Sequence, residues 1–502
     1  MFIKESNDLA FVDFNGKDHS YKEFLSNIKK YSSLYDDLGG KNVLVLSENR
    51  PEWLYSFFSI WNNKGVVVSI DANSTPDEIS YVLNDSSPEM IFCTNGTKER
   101  VDKALEKLDS YDGHVKIINI DNIVLEELNE KNQEYRTPLG DELAAMLYTS
   151  GTTGNPKGVM LSFNNLLSNM TGIIEREIIT SIDQTLALLP FHHVLPLMVT
   201  LVVVYSGASI VFVPKIASHE ILEALGKNRV TILVGVPRVY KLFYDGIKDQ
   251  IQSKFITRKI YDMTSVIKSM KIRKTIFKKV HTKFGGHLKQ MISGGAKLDP
   301  EIGDFFERLG FYVTEGYGLT ETSPILAVAT IKERKIGTVG KLLPKTEIKI
   351  VEDELLVKGP QVMLGYYKNL EKTREVLTED GWFKTGDLAE MDSEGYLTIK
   401  GRKSSMIVLS NGKNIDPETI ENKILNISKN LIDEIGIVAK NEKLNAIVVP
   451  NLLEFRKQGK NNIQQYVKEI IEDYNLDAKE KKKVLNFKLV EDELPKTRIG
   501  KV

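Results

Sequence analysis

The stretch "YTSGTTGNPKGV", Tyr148 to Val159, concentrates groups that hold anions. Gly151, Gly154 and Gly158 let successive backbone N–H groups converge, Thr149, Ser150, Thr152 and Thr153 add hydroxyl donors, and Lys157 adds a mobile charge. A phosphate cradle is the chemistry implied, although the same composition, taken alone, also describes a polar surface loop. It is not a Walker A loop, because no Gly-Lys in the chain is followed by Ser or Thr. Further polar segments follow in order: "SGGA" (Ser293 to Ala296), "YGLTETSP" (Tyr317 to Pro324), "GWFKTGDL" (Gly381 to Leu388), "GRKSSMIVLSNGKNI" (Gly401 to Ile415) and a closing "LPKTRIGKV". In isolation Glu321 would be a solvated loop carboxylate and Asp387 a turn residue. No GxSxG elbow is present, and Cys93 has no catalytic context.

Positioning requires a scaffold, and the first 350 or so residues repeat one rhythm of short β-branched run, turn and amphipathic helix. "KNVLVLS" leads to "NRPEWLYSFFSIWNN", "GVVVSI" to "TPDEISYVLND", "PEMIFC" to "GTKERVDKALEKL", and "VTILVGV" to "PRVYKLFYDGIKDQI". Nearly continuous apolar strands alternating with helices imply parallel sheet covered on both faces. Pro and Thr at the helix starts supply inexpensive N-termini. Residues 255–284 read as one long basic helical stretch ending in "FGGHL". After residue 335 the pattern turns to period two, punctuated by Gly and Pro, as expected of antiparallel hairpins in a small barrel or distorted sheet. Helix–strand alternation returns beyond Gly401. The expected fold is therefore α/β, with a large N-terminal domain over 1–401, a β-barrel-like subdomain over 335–400, and a smaller α+β domain over 402–502.

Composition narrows the function classes. The 502 residues are 42% apolar and 27% charged with a net charge of −1, which argues against nucleic acid as the main partner. One cysteine excludes an internal disulfide framework and any CxxC metal or redox site. The N-terminal segment lacks an apolar signal region, so a cytoplasmic location is the expectation. The run "VLPLMVTLVVVYSGASIVFV" is about long enough to cross a bilayer, but "YSGAS" divides it; a buried helix, a turn and a buried strand are expected instead of a transmembrane segment.

The ordered set of segments resembles the adenylate-forming, AMP-binding superfamily: acyl-CoA and aryl-CoA ligases, luciferases and peptide-synthetase adenylation domains. The resemblance spans essentially the whole chain. "LPFHHVLPL", "GVPRVYKLFYDGI", the basic helical stretch, "FGGHLKQMISGGAKLDPEIGDFF" and "IVLSNGKNIDPETIE" are most similar to long-chain fatty-acid–CoA ligases. It implies a carboxylate attacking the α-phosphate of ATP to give acyl-AMP and pyrophosphate, after which the thiol of coenzyme A displaces AMP.

By the same resemblance, Thr149, Ser150, Gly151, Thr152, Thr153, Gly154 and Lys157 hold phosphates, and the backbone of Gly294, Gly295 and Ala296 walls the adenine and the acyl head. Tyr317 and Gly318 lie along the adenine, Thr320 contacts phosphate, and Glu321 is the Mg²⁺ ligand. Asp387 and Arg402 take the ribose, His193 stands at the mouth of the acyl pocket, and Gly235, Val236 and Tyr240 line it. Gly412 and Lys413 border the coenzyme A channel, Ser404 is the hinge of a mobile C-terminal lid, and Lys501 bridges carboxylate and α-phosphate. Two departures stand out: the hinge position often carries Lys or Asp in the family, and members usually continue past Gly500-Lys501 with a basic tail. Three alternatives stay open: a carrier-protein thiol as acceptor, an aryl or small-acid substrate, and a binding relative without catalysis. Contact with a membrane surface is also left open.

Overall fold

The computed structural model describes residues 2–108, 115–149, 156–214, 217–408, 414–440, 443–479, 482–492 and 494. The chain divides into two compact units. One holds residues 1–349, 356–384 and 391–398; the other holds 350–355, 385–390 and 399–502.

Within the first unit lie two large sheets. The seven-stranded sheet runs in the order Gly365–Tyr366, Lys157–Ser162, Leu143–Thr149, Val66–Ser69, Asn42–Leu46, Met90–Cys93, Lys116–Asn119. Its last five strands pair in parallel, and the first two are added antiparallel. Val66–Ser69 and Met90–Cys93 are buried along their whole length, as β-branched and apolar runs covered on both faces must be. Pro51–Asn62, with Pro at its first turn, lies buried on nearly every side, and the Trp61 indole N–H donates to the Ala144 carbonyl at 2.9 Å. Pro76–Ser86 starts on a Thr75 capping box, which satisfies two otherwise orphaned N–H groups.

The nine-stranded sheet runs Lys341–Leu342, Ile325–Val328, Val313–Gly318, Gln290–Ser293, Ile232–Gly235, Gln184–Ala187, Ser209–Phe212, Leu9–Val12, Asp18–Ser20. Its six inner strands from Val313–Gly318 to Leu9–Val12 are parallel. The apolar run after His193 is the helix Val194–Ser206, a left-handed Gly207 and the wholly buried strand Ser209–Phe212. Among the described residues no helix is long and apolar enough to cross a membrane.

Two details depart from the sequence pattern. The basic stretch is three helices, Phe255–Met263, Met270–Ile276 and Lys278–Lys283, separated by turns. The strands after residue 335 are also shared out. Lys341–Leu342 and Gly365–Tyr366 extend the two large sheets, while Glu347–Val351, Glu354–Lys358, Phe383–Met391 and Leu397–Arg402 form a four-stranded sheet. Period-two alternation identifies strands but carries no information about which edge receives them.

The second unit contains the three-stranded sheet Ile432–Lys440, Lys443–Pro450, Val484–Leu489, antiparallel then parallel, with helices Pro417–Ile427 and Ile463–Asp477. Ile420, Ile424, Ile435, Val448, Val467 and Ile471 make its core.

Candidate active site

Four neighbouring parallel strands of the nine-stranded sheet deliver predicted residues at their carboxyl ends, where open α/β sheets bind ligands. Gln184–Ala187 leads to His192 and His193, and Ile232–Gly235 to Val236. Gln290–Ser293 leads to Gly294, Gly295 and Ala296, and Val313–Gly318 carries Tyr317. The registers Gly235↔Ser293 and Ser293↔Glu315 bring the last three ends level. The Gly294 N–H donates to the Gly235 carbonyl at 3.1 Å. A Cβ on Gly294 would lie 3.0 Å from Leu195 Cδ2, and Gly295 adopts φ +78 with Val236 Cγ1 3.5 Å from the Cβ position. The hydroxyl of buried Ser293 has no partner among the described residues.

The turn after Val313–Gly318 requires glycine at its start. A Cβ on Gly318 would sit 1.8 Å from the Pro324 carbonyl oxygen, because Leu319 N–H and the Thr322 hydroxyl both donate to that oxygen. Thr320 and Glu321 occupy the single 3₁₀ turn Thr320–Thr322 so formed. Asn169, almost fully buried on helix Phe163–Glu175, pins the turn's exit: its Nδ2 donates to the Ile325 carbonyl at 2.8 Å, and its Oδ1 accepts from Ile325 N–H at 3.1 Å. One helical turn earlier, Asn165 Nδ2 donates to the carbonyls of Pro360 and Val362 at 2.8 and 2.9 Å. Two buried carboxamides on one helix face thus hold two distant segments side by side.

The second of those segments carries Tyr366. Gly365–Tyr366 pairs antiparallel with Met160 and Val159, Tyr367 N–H donates to Gly158, and Met363 N–H donates to the Glu321 carbonyl. The Tyr366 hydroxyl donates to Glu321 Oε1 at 2.9 Å, and Lys157 Nζ lies 4.8 Å from the Tyr366 ring centroid. Lys157 and Glu321 are therefore bridged by one aromatic ring, cation on its face and carboxylate at its hydroxyl. Lys157 itself is fixed at the foot of the hairpin by its pairing with Thr149. Ser150, Gly151, Thr152, Thr153 and Gly154, in the connection between those strands, lie outside the described residues.

At the other end of the group, the His192 and His193 ring centroids are 4.1 Å apart and His192 Nε2 is 3.9 Å from Asp71 Oδ2. Asn49 braces their loop, donating to the Leu189 carbonyl at 2.7 Å and accepting from Phe191 N–H at 2.8 Å. A small apolar hollow of about 20 Å³ lies beside it, lined by Leu186, Phe191, Pro196, Val199 and Val234 among others. Val236 lies beside Gly295, whereas Tyr240 is wholly enclosed in the core and donates its hydroxyl to the Leu233 and Ile292 carbonyls at 2.9 and 2.7 Å.

In the second unit, Asp387 is nearly buried and Arg402 half-exposed, with Arg402 Nε 2.9 Å from Asp387 Oδ1. Lys403 Nζ holds Glu354 Oε2 at 2.7 Å, and exposed Ser404 follows in the 3₁₀ turn Lys403–Ser405. Gly412, Lys413 and Lys501 lie outside the described residues.

Sequence reasoning passed over Asn49, Asn165, Asn169 and Tyr366. The only signal was polar asparagine four residues apart on the apolar face of "FNNLLSNMTGIIE".

Among the described residues no three His, Cys, Asp or Glu side chains cluster to hold a metal. A lone carboxylate such as Glu321 suits Mg²⁺ that arrives on phosphate oxygens and keeps its waters. The donor set thus fits a nucleotide-borne cation.

The profile of the AMP-binding enzyme family matches residues 3–367, and that of the AMP-binding enzyme C-terminal domain matches residues 404–502. The chain belongs to the AMP-binding enzyme family. It is 31% identical over 416 residues to a long-chain-fatty-acid–CoA ligase of Mycobacterium tuberculosis, covering 77% of this chain and 69% of that protein. It is 30% identical over 558 residues to a chloroplastic long-chain-fatty-acid–[acyl-carrier-protein] ligase of Arabidopsis thaliana, covering 90% and 75%. Its fold is that of the ATP-bound MatB structure from Rhodopseudomonas palustris, at TM-score 0.78 and 24% identity over 100% of this chain and 95% of that one. The o-succinylbenzoate coenzyme A synthetase of Bacillus subtilis with ATP and magnesium ion gives TM-score 0.77 at 21% identity, covering 99% and 95%.

Proposed function

We propose that this protein is an AMP-forming acid–thiol ligase that activates a medium- or long-chain fatty acid and transfers it to coenzyme A. The observation that carries the reading is the Lys157–Tyr366–Glu321 constellation, held in the same unit as the level strand ends and a small apolar hollow lined by Phe191 and Pro196. In the first step a carboxylate oxygen attacks the α-phosphorus of ATP and the bond to the bridging oxygen breaks, releasing pyrophosphate. In the second, the thiol sulfur attacks the acyl carbonyl carbon, AMP leaves with the bonding pair, and the thiol proton passes to solvent.

Lys157, with Thr149 and the glycine-rich residues 150–154, holds the β- and γ-phosphates. Thr320 contacts phosphate, and Glu321 binds the Mg²⁺ that would offset the phosphates' negative charge. The Tyr366 hydroxyl keeps Glu321 oriented. Tyr317 and Gly318, with the backbone of Gly294, Gly295 and Ala296, take the adenine. Asp387 and Arg402 take the ribose, Lys501 bridges carboxylate and α-phosphate, and Gly412 and Lys413 border the thiol's path. Glycine backbone suits the nucleotide because nothing protrudes where a flat base must approach.

The test is fatty-acid-dependent exchange of labelled pyrophosphate into ATP across a series of acids that differ only in chain length. Exchange with none of these, nor with aryl or small acids, would remove the enzyme reading. Thioester formation is then compared with coenzyme A and with an acyl carrier protein. The similarity to a carrier-protein ligase over 90% of the chain makes the carrier thiol the second reading.

A further inference from the structure

An amphipathic helix of a globular protein ordinarily turns its apolar stripe to the core. Helix Phe255–Met263 does the reverse. At about 100° per residue, Phe255, Lys259, Met263, Ile256 and Ile260 fall within an arc of about 140°. Tyr261, which anchors the helix, points to the opposite side. It stacks under the Arg308 guanidinium at 4.2 Å and packs against Phe277 and Phe305. The outward stripe is accordingly bare: Phe255 is 61% exposed, Ile256 71% and Met263 64%. Val266 in the following turn is 80% exposed, and Ile272 and Ile276 on Met270–Ile276 are exposed as well.

The segment that carries this stripe is also strongly basic. Residues 254–283 contain ten lysines and arginines against the single carboxylate of Asp262. Arg273 is committed to structure, donating to the carbonyls of Thr264, Ile267 and Glu307. Among the described residues none of the other nine is ion-paired with a carboxylate. Lys259 Nζ lies 4.6 Å from the centroid of the exposed Phe255 ring, so an aromatic and a cation are presented together. The Arg273 bond to the Glu307 carbonyl and the Arg308 bonds to the Tyr261 and Asp262 carbonyls tie the segment to the neighbouring helix, so the exposed side chains are displayed by the fold.

We propose that the outward face of Phe255–Ile276 docks on the surface of an anionic lipid bilayer, with Phe255, Ile256, Met263 and Val266 entering the headgroup region and the surrounding cations meeting lipid phosphates. Charge complementarity selects an anionic partner, and the bare apolar stripe selects a bilayer over an acidic protein, whose surface offers no hydrocarbon layer to receive it. The proposed contact is a peripheral one; among the described residues no helix is long and apolar enough to cross a membrane. The inference stands independently of which acid or thiol the protein uses.

The full-length protein is sedimented with vesicles of neutral phosphatidylcholine alone and with vesicles containing about 30% phosphatidylserine. Co-sedimentation should be at least about tenfold stronger on the anionic vesicles and should fall sharply from about 0.1 M to about 1 M salt, where the screening length drops to about 3 Å. The triple substitution Phe255→Ser, Ile256→Ser, Met263→Ser should weaken binding by at least about tenfold. Lys268→Glu with Lys271→Glu should weaken it by at least about thirtyfold. Both variants should melt as the parent does, because the altered side chains are exposed. Failure to bind anionic vesicles, or an unchanged affinity in the apolar triple variant, overturns the proposal. So does binding of an acidic carrier protein that the charge variant abolishes while vesicles are ignored.

Discussion

Asn169→Ala tests whether the site is held by the helix beneath it. The parent carboxamide makes two short bonds to Ile325, at 2.8 and 3.1 Å, and a longer one of 3.4 Å to the Thr322 carbonyl. Alanine deprives the half-buried N–H and carbonyl of Ile325 of their carboxamide partner, at about 1 kcal/mol or more each, so the expected loss of stability is about 2 kcal/mol. Asn169→Asp keeps the acceptor for Ile325 N–H but sets a carboxylate oxygen against the Ile325 carbonyl, and should be no better. Because Ile325 follows directly on the turn bearing Thr320 and Glu321, loosening it should raise the Mg²⁺ concentration needed for half-maximal pyrophosphate exchange by about ten- to a hundredfold. The assay is exchange against a Mg²⁺ titration, at a temperature well below the variant's own melting transition, with melting followed in parallel. An unchanged Mg²⁺ requirement despite a lowered melting temperature would falsify the positioning role and leave only packing. Unchanged melting would sink the structural reasoning altogether.

Tyr366→Phe deletes the bond to Glu321 but keeps the ring under Lys157, so the Mg²⁺ requirement should rise about tenfold with little change in melting; an unaffected titration counts against the bridge. Gly318→Ala places a methyl 1.8 Å from the Pro324 carbonyl oxygen, and exchange should fall by more than about a hundredfold, or folding should fail; a stable, active variant would show that the turn relaxes. Burial, opposed by the Leu298 and Gly337 N–H groups and by Lys297, pushes Glu315 up to about 7. The folded state then keeps a proton that the unfolded chain has lost. Stability from this group is present below about pH 4.5 and is lost as pH rises to 7, by about 2 kcal/mol once its residual exposure is allowed for. His281, held down at about 4 by burial, acts in the opposite sense below pH 6.5, so melting of Glu315→Gln is compared with the parent pH by pH. Parallel curves would refute the assignment. Lys501→Ala should abolish acyl-AMP formation while sparing thioester formation from supplied acyl-AMP; equal loss of both would remove Lys501 from the first step.

The order of the polar motifs and the strand–helix rhythm were legible in the amino-acid sequence because both are local. Val66–Ser69 and Met90–Cys93 announce buried parallel strands wherever the chain goes afterwards, and glycines, hydroxyls and a lysine within a dozen residues raise the expectation of an anion loop from composition alone. The break at "YSGAS" likewise announced a helix, a turn and a strand where hydropathy alone suggested a membrane span. Tertiary structure decided what depends on distant partners. Asn165 and Asn169 look like poor helix formers until the segments they hold, some 160 to 200 residues later, are packed beside them. Tyr366 is one aromatic among many until strand pairing sets its hydroxyl on Glu321, and Tyr240 spends its hydroxyl on the core because two strand carbonyls lie within reach. The apolar side chains of Phe255–Met263 have the spacing of a buried stripe. Only the packing of Tyr261 against the body of the protein turns that stripe outward, since which face of a helix is covered depends on what lies against it and not on its own periodicity.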